Sequence, residues 1–277
     1  MQRLIISLSL FFVCHLPLRA QVIDIGLNFG AMFYNGDLSA SDVRQMIQET
    51  RPAFGLFCRL VNSRQFSTRF NLNIGSIQGD DARTANEARG LSFESRIWEF
   101  NVIGEWHSLR VRHTEHSSTF PYLFGGVGFF HFNPKADVNG ELVELQPLGT
   151  EGQGLPSYPD AYNRLQLNVP FGAGIKVVNR KVTVGFEMGA RFLLTDYLDD
   201  VSSTLVNHRD VFEGNGSLAA QLSNPNLGGQ EGIDQVYRRG SERRDWYYMM
   251  NITLSYNFGQ ALHKIFSDPV PCPKWRL

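Results

Sequence analysis

Apolar and polar residues alternate one by one along this chain, over runs longer than an ordinary soluble strand. In VIDIGLNFGAMFY, Ile23, Ile25, Leu27, Phe29, Ala31 and Phe33 share one parity, and Asp24, Gly26, Asn28 and Gly30 take the other. A period of two puts successive side chains on opposite faces of a strand. A run of about twelve residues exceeds the roughly 5–6 of a typical strand. LQLNVPFGAGIKV, VTVGFEMGARFLL and YYMMNITLSYNF repeat the split, each with one smooth apolar face and one small, polar or charged face. The pattern predicts strands near 22–34, 52–62, 65–78, 92–107, 120–133, 164–178, 181–197 and 245–258.

Alternation does not say which face points outward: a soluble barrel hides its apolar face, whereas an outer-membrane barrel turns it to lipid. Three features favour lipid. The predicted connections after strands one, three, five and seven are long, while 62–65 and 178–181 are tight turns and 107–119 is intermediate. Aromatic residues collect at two levels, Tyr34, Tyr197, Trp246, Tyr247 and Tyr248 at one and Trp106, Tyr122, Tyr256 and Phe258 at the other. Such girdles mark the two membrane interfaces. The polar parity carries both signs, Asp24, Glu99, Glu105 and Glu187 against Arg59, Arg69, Lys176 and Arg191. The expectation is an all-β, antiparallel transmembrane β-barrel of about eight strands in the cell outer membrane. Short periplasmic turns, long extracellular loops and periplasmic N- and C-termini complete it.

Composition narrows the class. Residues 1–20 read as a signal peptide, with Arg3 before the apolar run Leu4 to Leu16 and a cleavage site at Leu18-Arg19-Ala20. Residues 21–259 then form the barrel and 260–277 a periplasmic tail. A net charge of -1 and a pI near 6.7 give no reason to expect nucleic acid. Cys58 and Cys272 remain after cleavage, too few for a disulfide scaffold.

Candidate chemistry is sparse. The glycines of FGGVGFF lack the helix and the Lys-Ser/Thr that grip phosphate, and suit a crowded, curved strand better. His107, His113 and His116, around Glu115, do not fix a tetrahedral metal site and read as a solvated turn. Ser203 with His208, or His131, could serve a rim-located lipid-modifying enzyme, but nothing in the spacing sets a base beside a nucleophile. Asp196, Asp199 and Asp200 in FLLTDYLDDVSST could bind calcium. They are better read as locking a short turn at 199–207 where a strand leaves the membrane. No catalytic residue and no cofactor are expected. Three rivals stay open: a barrel binding an apolar ligand, such a rim enzyme, and a surface adhesin or receptor using loops 134–163 and 198–244.

GFEMGARFLLTDYLDDVSS, preceded by VPFGAGIK, resembles the Bacteroidota outer-membrane barrels that include the PorG-like component of the type IX secretion system. IGLNFGAMFYNGDLS, RPAFGLFCRL and the terminal CPKW are similar to that family too. Thr195, Asp196, Tyr197, Leu198, Asp199, Asp200, Val201 and Ser202 are the most specific part of the likeness. The resemblance implies a non-enzymatic subunit that anchors or scaffolds a periplasmic ring of a PorK-type lipoprotein and a PorN-type protein. The tail, extended by Pro269, Pro271 and Pro273, would dock that ring, with Cys272, Pro273, Lys274 and Trp275 as contact candidates.

Overall fold

The computed structural model describes residues 22–39, 42–84, 86–107, 111–113, 117–179 and 181–258. Eight long strands close into an antiparallel barrel. They are β1 (Val22–Asn35), β2 (Arg51–Val61), β3 (Phe66–Asp80), β4 (Ser92–His107), β5 (Ser117–His131), β6 (Leu165–Asn179), β7 (Val182–Leu193) and β8 (Trp246–Asn257). Each pairs with the strand before and after it, and β8 returns to β1 with Leu254 opposite Leu27. Closure removes the unpaired edges that an open sheet would expose.

The alternation decides which residues meet lipid and which fill the lumen. Ile25, Phe54, Leu72, Phe100, Val127, Phe171, Phe186 and Ile252 point outward and are exposed. This rules out the soluble-barrel reading, in which these same side chains would lie inside. A continuous apolar exterior with satisfied backbone ladders is what a bilayer requires of a spanning β structure. Among the described residues no helix is long and apolar enough to cross a membrane.

The opposite parity fills the lumen in layers. Nearest the short turns, Glu105 collects Arg59 at 3.0 Å, Arg69 at 3.3 Å and Lys176 at 2.8 Å, and Arg59 reaches Asp24 at 3.3 Å. Next, Arg69 pairs with Glu187 at 2.8 Å, and Tyr122 donates to the same carboxylate at 2.8 Å. Above them Glu99 accepts from Arg191 at 3.3 Å, Asn168 at 3.2 Å and Asn73 at 3.1 Å. Toward the long loops the filling turns apolar, with Met32, Ile77, Phe93, Ile97, Phe130, Phe132 and Leu193 in one buried cluster. Two of the glycines of FGGVGFF answer to crowding, since a Cβ on Gly126 would strike the backbone of Val102 and Ile103 on β4 and one on Gly128 would strike Asn168 and Asn101, whereas Gly125 is exposed and has room for one. They are not a phosphate loop.

Four long connections emerge at one end and the tight turns at the other. The long ones carry structure of their own: helix α1 (Val43–Glu49), a hairpin of Pro134–Val138 with Glu141–Glu144, and helices α2 (His208–Asn215) and α3 (Ser217–Ser223). Two expectations need correction. Tyr34, Tyr247 and Tyr122 are not girdle residues; their parity turns them into the lumen, where all three are buried. The outward aromatics are instead Phe33 stacked on Tyr248 at 5.0 Å and Trp246 against Phe192 at 5.1 Å, with Trp106, Tyr256 and Phe258 at the short-turn end. Strand β7 ends at Leu193 rather than near 197, because beyond it the side chains of 195–202 turn inward over the mouth and take up loop hydrogen bonds.

Candidate functional site

The mouth at the long-loop end is closed by the stretch Thr195–Ser202, seated on the apolar plug. Leu198 and Val201 are fully buried among the plug residues, which anchors the turn by burial alone. Tyr197 stacks on Tyr162 at 4.8 Å, Tyr162 on Phe132 at 5.9 Å, and Phe132 on Phe130 at 5.5 Å. This aromatic ladder runs from the signature turn down into the barrel, so Tyr197 belongs to the cap and not to a membrane girdle.

The three acids of the signature part company. Asp199 lies inside the mouth, where Tyr34 donates to it at 2.5 Å and its other oxygen accepts from the Val201 N–H at 3.0 Å. The Tyr34 hydroxyl is also 3.0 Å from Asp245, which in turn accepts the Leu198 N–H at 3.1 Å. A phenol has one proton, so both contacts are hydrogen bonds only when a carboxyl supplies the second hydrogen. Burial pushes Asp199 and Asp245 well above the usual carboxylate range, and the Asp199 charge adds to the shift of Asp245. The pair therefore holds a proton at neutral pH.

Asp200 faces the other way. It sits at φ 66°, a left-handed backbone that aspartate tolerates better than most residues, which lets the chain reverse within the cap. Its carboxylate accepts from Thr150 at 2.5 Å, Tyr162 at 2.7 Å and Arg239 at 3.3 Å. Glu151 takes the Ser202 N–H at 2.8 Å and the Ser202 hydroxyl at 2.5 Å; burial raises it to about 7 despite Arg239 nearby. Asp196 is partly exposed and raised to about 6 by burial and the charge of Asp37. Among the described residues no group of three or more acids, histidines or cysteines could hold a metal ion. The calcium reading of Asp196, Asp199 and Asp200 finds no converging donor set there: Asp199 and Asp200 serve different segments, and the Asp196 carboxylate keeps a buried oxygen without a hydrogen bond.

Arg239 was not visible as a functional residue in the sequence. Buried to 3%, it bonds Thr150 at 2.6 Å and the Asp200 carbonyl at 2.7 Å, tying the loop after β7 to the loop after β5. Arg89 does the same for the loops after β1 and β3, gripping Asp81 at 2.7 Å, the Asp37 carbonyl at 2.9 Å and the Arg239 carbonyl.

The other sequence candidates scatter. His208 faces Tyr237 at 3.4 Å and makes no hydrogen bond with Ser203, while His131 lies on the outer face opposite Trp98. His107 is buried against Glu105 at 3.5 Å rather than solvated, His113 contacts Thr119 at 2.7 Å, and His116 lies outside the described residues. Cys58 is a free, partly buried thiol; Cys272, Pro273, Lys274 and Trp275 lie outside the described residues. The turn expected at 199–207 is locked by the Asp199 side chain on the Val201 N–H and by the reversal at Asp200.

Within the barrel and its cap, the free space among the described residues is small and discontinuous. A cavity of 220 Å³ lies beside the cap between Leu38, Asp137, Gln221 and Arg239. At the short-turn end a space of 20 Å³ beside Asp24, His107 and Lys176 holds about one water. Between them the ionic layers occupy the lumen.

A family model described as "Domain of unknown function (DUF6089)" matches residues 2–216. No curated protein matches the chain. Among solved structures, it is similar to the outer membrane protein OprG from Pseudomonas aeruginosa at 9% identity and a TM-score of 0.46, covering 87% of this chain and 97% of that one. It is also similar to Neisserial surface protein A, at 6% identity and a TM-score of 0.41 over 84% and 96% of the two chains. The N-terminal β-barrel domain of Pseudomonas aeruginosa OprF gives 10% and 0.36 over 86% and 98%.

Proposed function

The chain belongs to the DUF6089 family; we propose that it is a non-enzymatic outer-membrane barrel that anchors or scaffolds a protein-secretion machine of the type IX kind. One observation carries the reading: the lumen is filled from end to end, by ion pairs below and an apolar plug above. A barrel so filled has no path for a solute, so its work is positional. The likeness of TDYLDDVS and its flanks to PorG-like barrels supplies the machine, a periplasmic ring of a PorK-type lipoprotein and a PorN-type protein. In that reading both termini are periplasmic, the signal peptide is removed, and the tail 260–277 presents Cys272, Pro273, Lys274 and Trp275 to the ring.

The test is a pull-down of the full chain from detergent-solubilised outer membrane, alongside a chain trimmed of 260–277. The ring lipoprotein should come down with the full chain and be depleted with the trimmed one. A trimmed chain that still captures the ring overturns the tail as the dock, and a full chain that captures none overturns the secretion role.

A further inference from the structure

On the outer wall, where β4 meets β5, the apolar belt stops at one rung. Going toward the long loops, the outward row of β4 reads Trp106, Gly104, Val102, Phe100, Trp98, then Arg96 and Glu94; that of β5 reads Leu123, Gly125, Val127, Phe129, then His131. Trp98 pairs with His131, so the change from apolar to polar falls at the same height on both strands. The hairpin that follows β5 stands over this rung. Together they enclose a groove of 410 Å³ on the outside of the barrel, lined by Glu94, Arg96, Trp98, His131, Asn133, Lys135 and Leu142.

The charges in and beside this groove are unbalanced in a specific way. Glu144 is shared by Lys135 at 3.4 Å, Arg164 at 3.0 Å and the Asn133 amide at 2.7 Å, so its one charge answers two cations. Arg96 is exposed and makes no ion pair among the described residues, unlike Arg59, Arg69 and Arg191 inside the barrel. Glu94 is the remaining acid. An unpaired guanidinium directly above an exposed indole, at the edge of an apolar belt, fits a group that is anionic at its head and apolar below. Arginine favours phosphate because its planar fork meets two oxygens at once.

We propose that this groove binds the phosphorylated headgroup of an outer-leaflet lipid, with Arg96 and Lys135 on the phosphate and Trp98 and Leu142 against the first apolar carbons. Asn133 and His131 are placed to meet headgroup hydroxyls. The inference rests on the reading of the apolar exterior as lipid-facing, and it goes beyond that reading by assigning one seat on the wall to one class of lipid. The groove would fix the barrel's height and rotation in the leaflet, which matters for a protein whose task is to hold other components in place.

The experiment uses the full chain, purified from vesicles of phosphatidylcholine doped with lipid A, with retained lipid A read by native mass spectrometry. Wild type should carry a lipid A adduct that an Arg96→Glu/Lys135→Glu variant loses by about tenfold, since two charge-assisted bonds are reversed in sign. Arg243→Glu/Arg244→Glu supplies the same charge change on the opposite wall and should keep the adduct. The heat-dependent gel shift of a folded barrel, run on every variant, separates lost binding from lost folding. Equal retention by both double variants, or no adduct on folded wild type, overturns the groove. Recovery of the chain in a soluble fraction without detergent would instead overturn the membrane reading beneath it.

Discussion

At the short-turn end the lumen is filled by Asp24, Arg59, Glu105 and Lys176, whereas at the long-loop end the same lumen is filled by Met32, Ile77, Phe130 and Leu193. Both fillings are dense, yet they specify different things. A buried ion pair adds little net stability over an apolar filling of equal shape but is costly to break one-sidedly. It therefore fixes which residues face one another across the barrel. The apolar plug gains its free energy by burial without demanding fixed partners, so loops arriving from four directions can seat on it. The signature turn uses both: Leu198 and Val201 are buried in the plug, while Asp199 and Asp200 pick out Tyr34, Thr150 and Tyr162.

That contrast can be broken at each end. The largest effect is expected for Glu105→Gln, which takes from Lys176 its one ion-pair partner among the described residues and from Arg59 and Arg69 one of two, and should destabilise the whole barrel by about 3–5 kcal/mol. Urea unfolding in detergent would measure it, and a midpoint unchanged from wild type would mean that the ionic layer does not specify the barrel. Leu198→Ala should cost about 2–4 kcal/mol, but locally. Protease sensitivity of the 194–245 loop should rise while the barrel's gel shift is kept; simultaneous loss of both would make plug and barrel one unit.

Smaller still is Tyr34→Phe, expected to cost about 1–3 kcal/mol by leaving Asp199 and Asp245 without their shared hydroxyl. It should also speed hydrogen exchange at Leu198 and Val201. The mildest perturbation is pH. The acids of the cap are raised, Asp196 to about 6, Glu151 to about 7, and Asp199 and Asp245 by burial beside each other. A raised acid binds its proton more tightly in the closed cap than in the open one. The stabilisation is therefore complete below about pH 4 and is lost as pH climbs through the raised values. The protection of 195–202, taken as exchange relative to the base-catalysed intrinsic rate, should fall between pH 5 and pH 9 while that of the short-turn end is unchanged; protection that holds or rises at pH 9 would contradict the shared proton.

Much of the barrel could be read from the chain because lipid imposes period two on long stretches of the outer face. Seven of the eight strand spans needed only small adjustments at their ends. The errors came where height was inferred and parity ignored: Tyr34 and Tyr247 lie at girdle level, but their parity belongs to the lumen. The cap was hardest to read, since its partners lie far apart in sequence. Tyr34 meets Asp199 and Asp245, and Arg239 meets Thr150. No local pattern links such residues. The acids of the signature could be seen as turn-forming, but not that they would divide between two hydrogen-bond systems.

The strand order has a consequence for how such a chain is built. Among the eight barrel strands every ladder but one joins neighbours in sequence; the exception is the seam between β8 and β1, which joins Asn35 to Trp246 and Asp24 to Asn257. Hairpins can form as the chain is delivered, because their ends are close and loop closure is cheap. The seam must wait for almost the last described residue to arrive. Until then both edges of the growing sheet stand unpaired, in a setting where unpaired backbone is least tolerated. Closure of this barrel thus depends on β8, the last of its eight strands to be made.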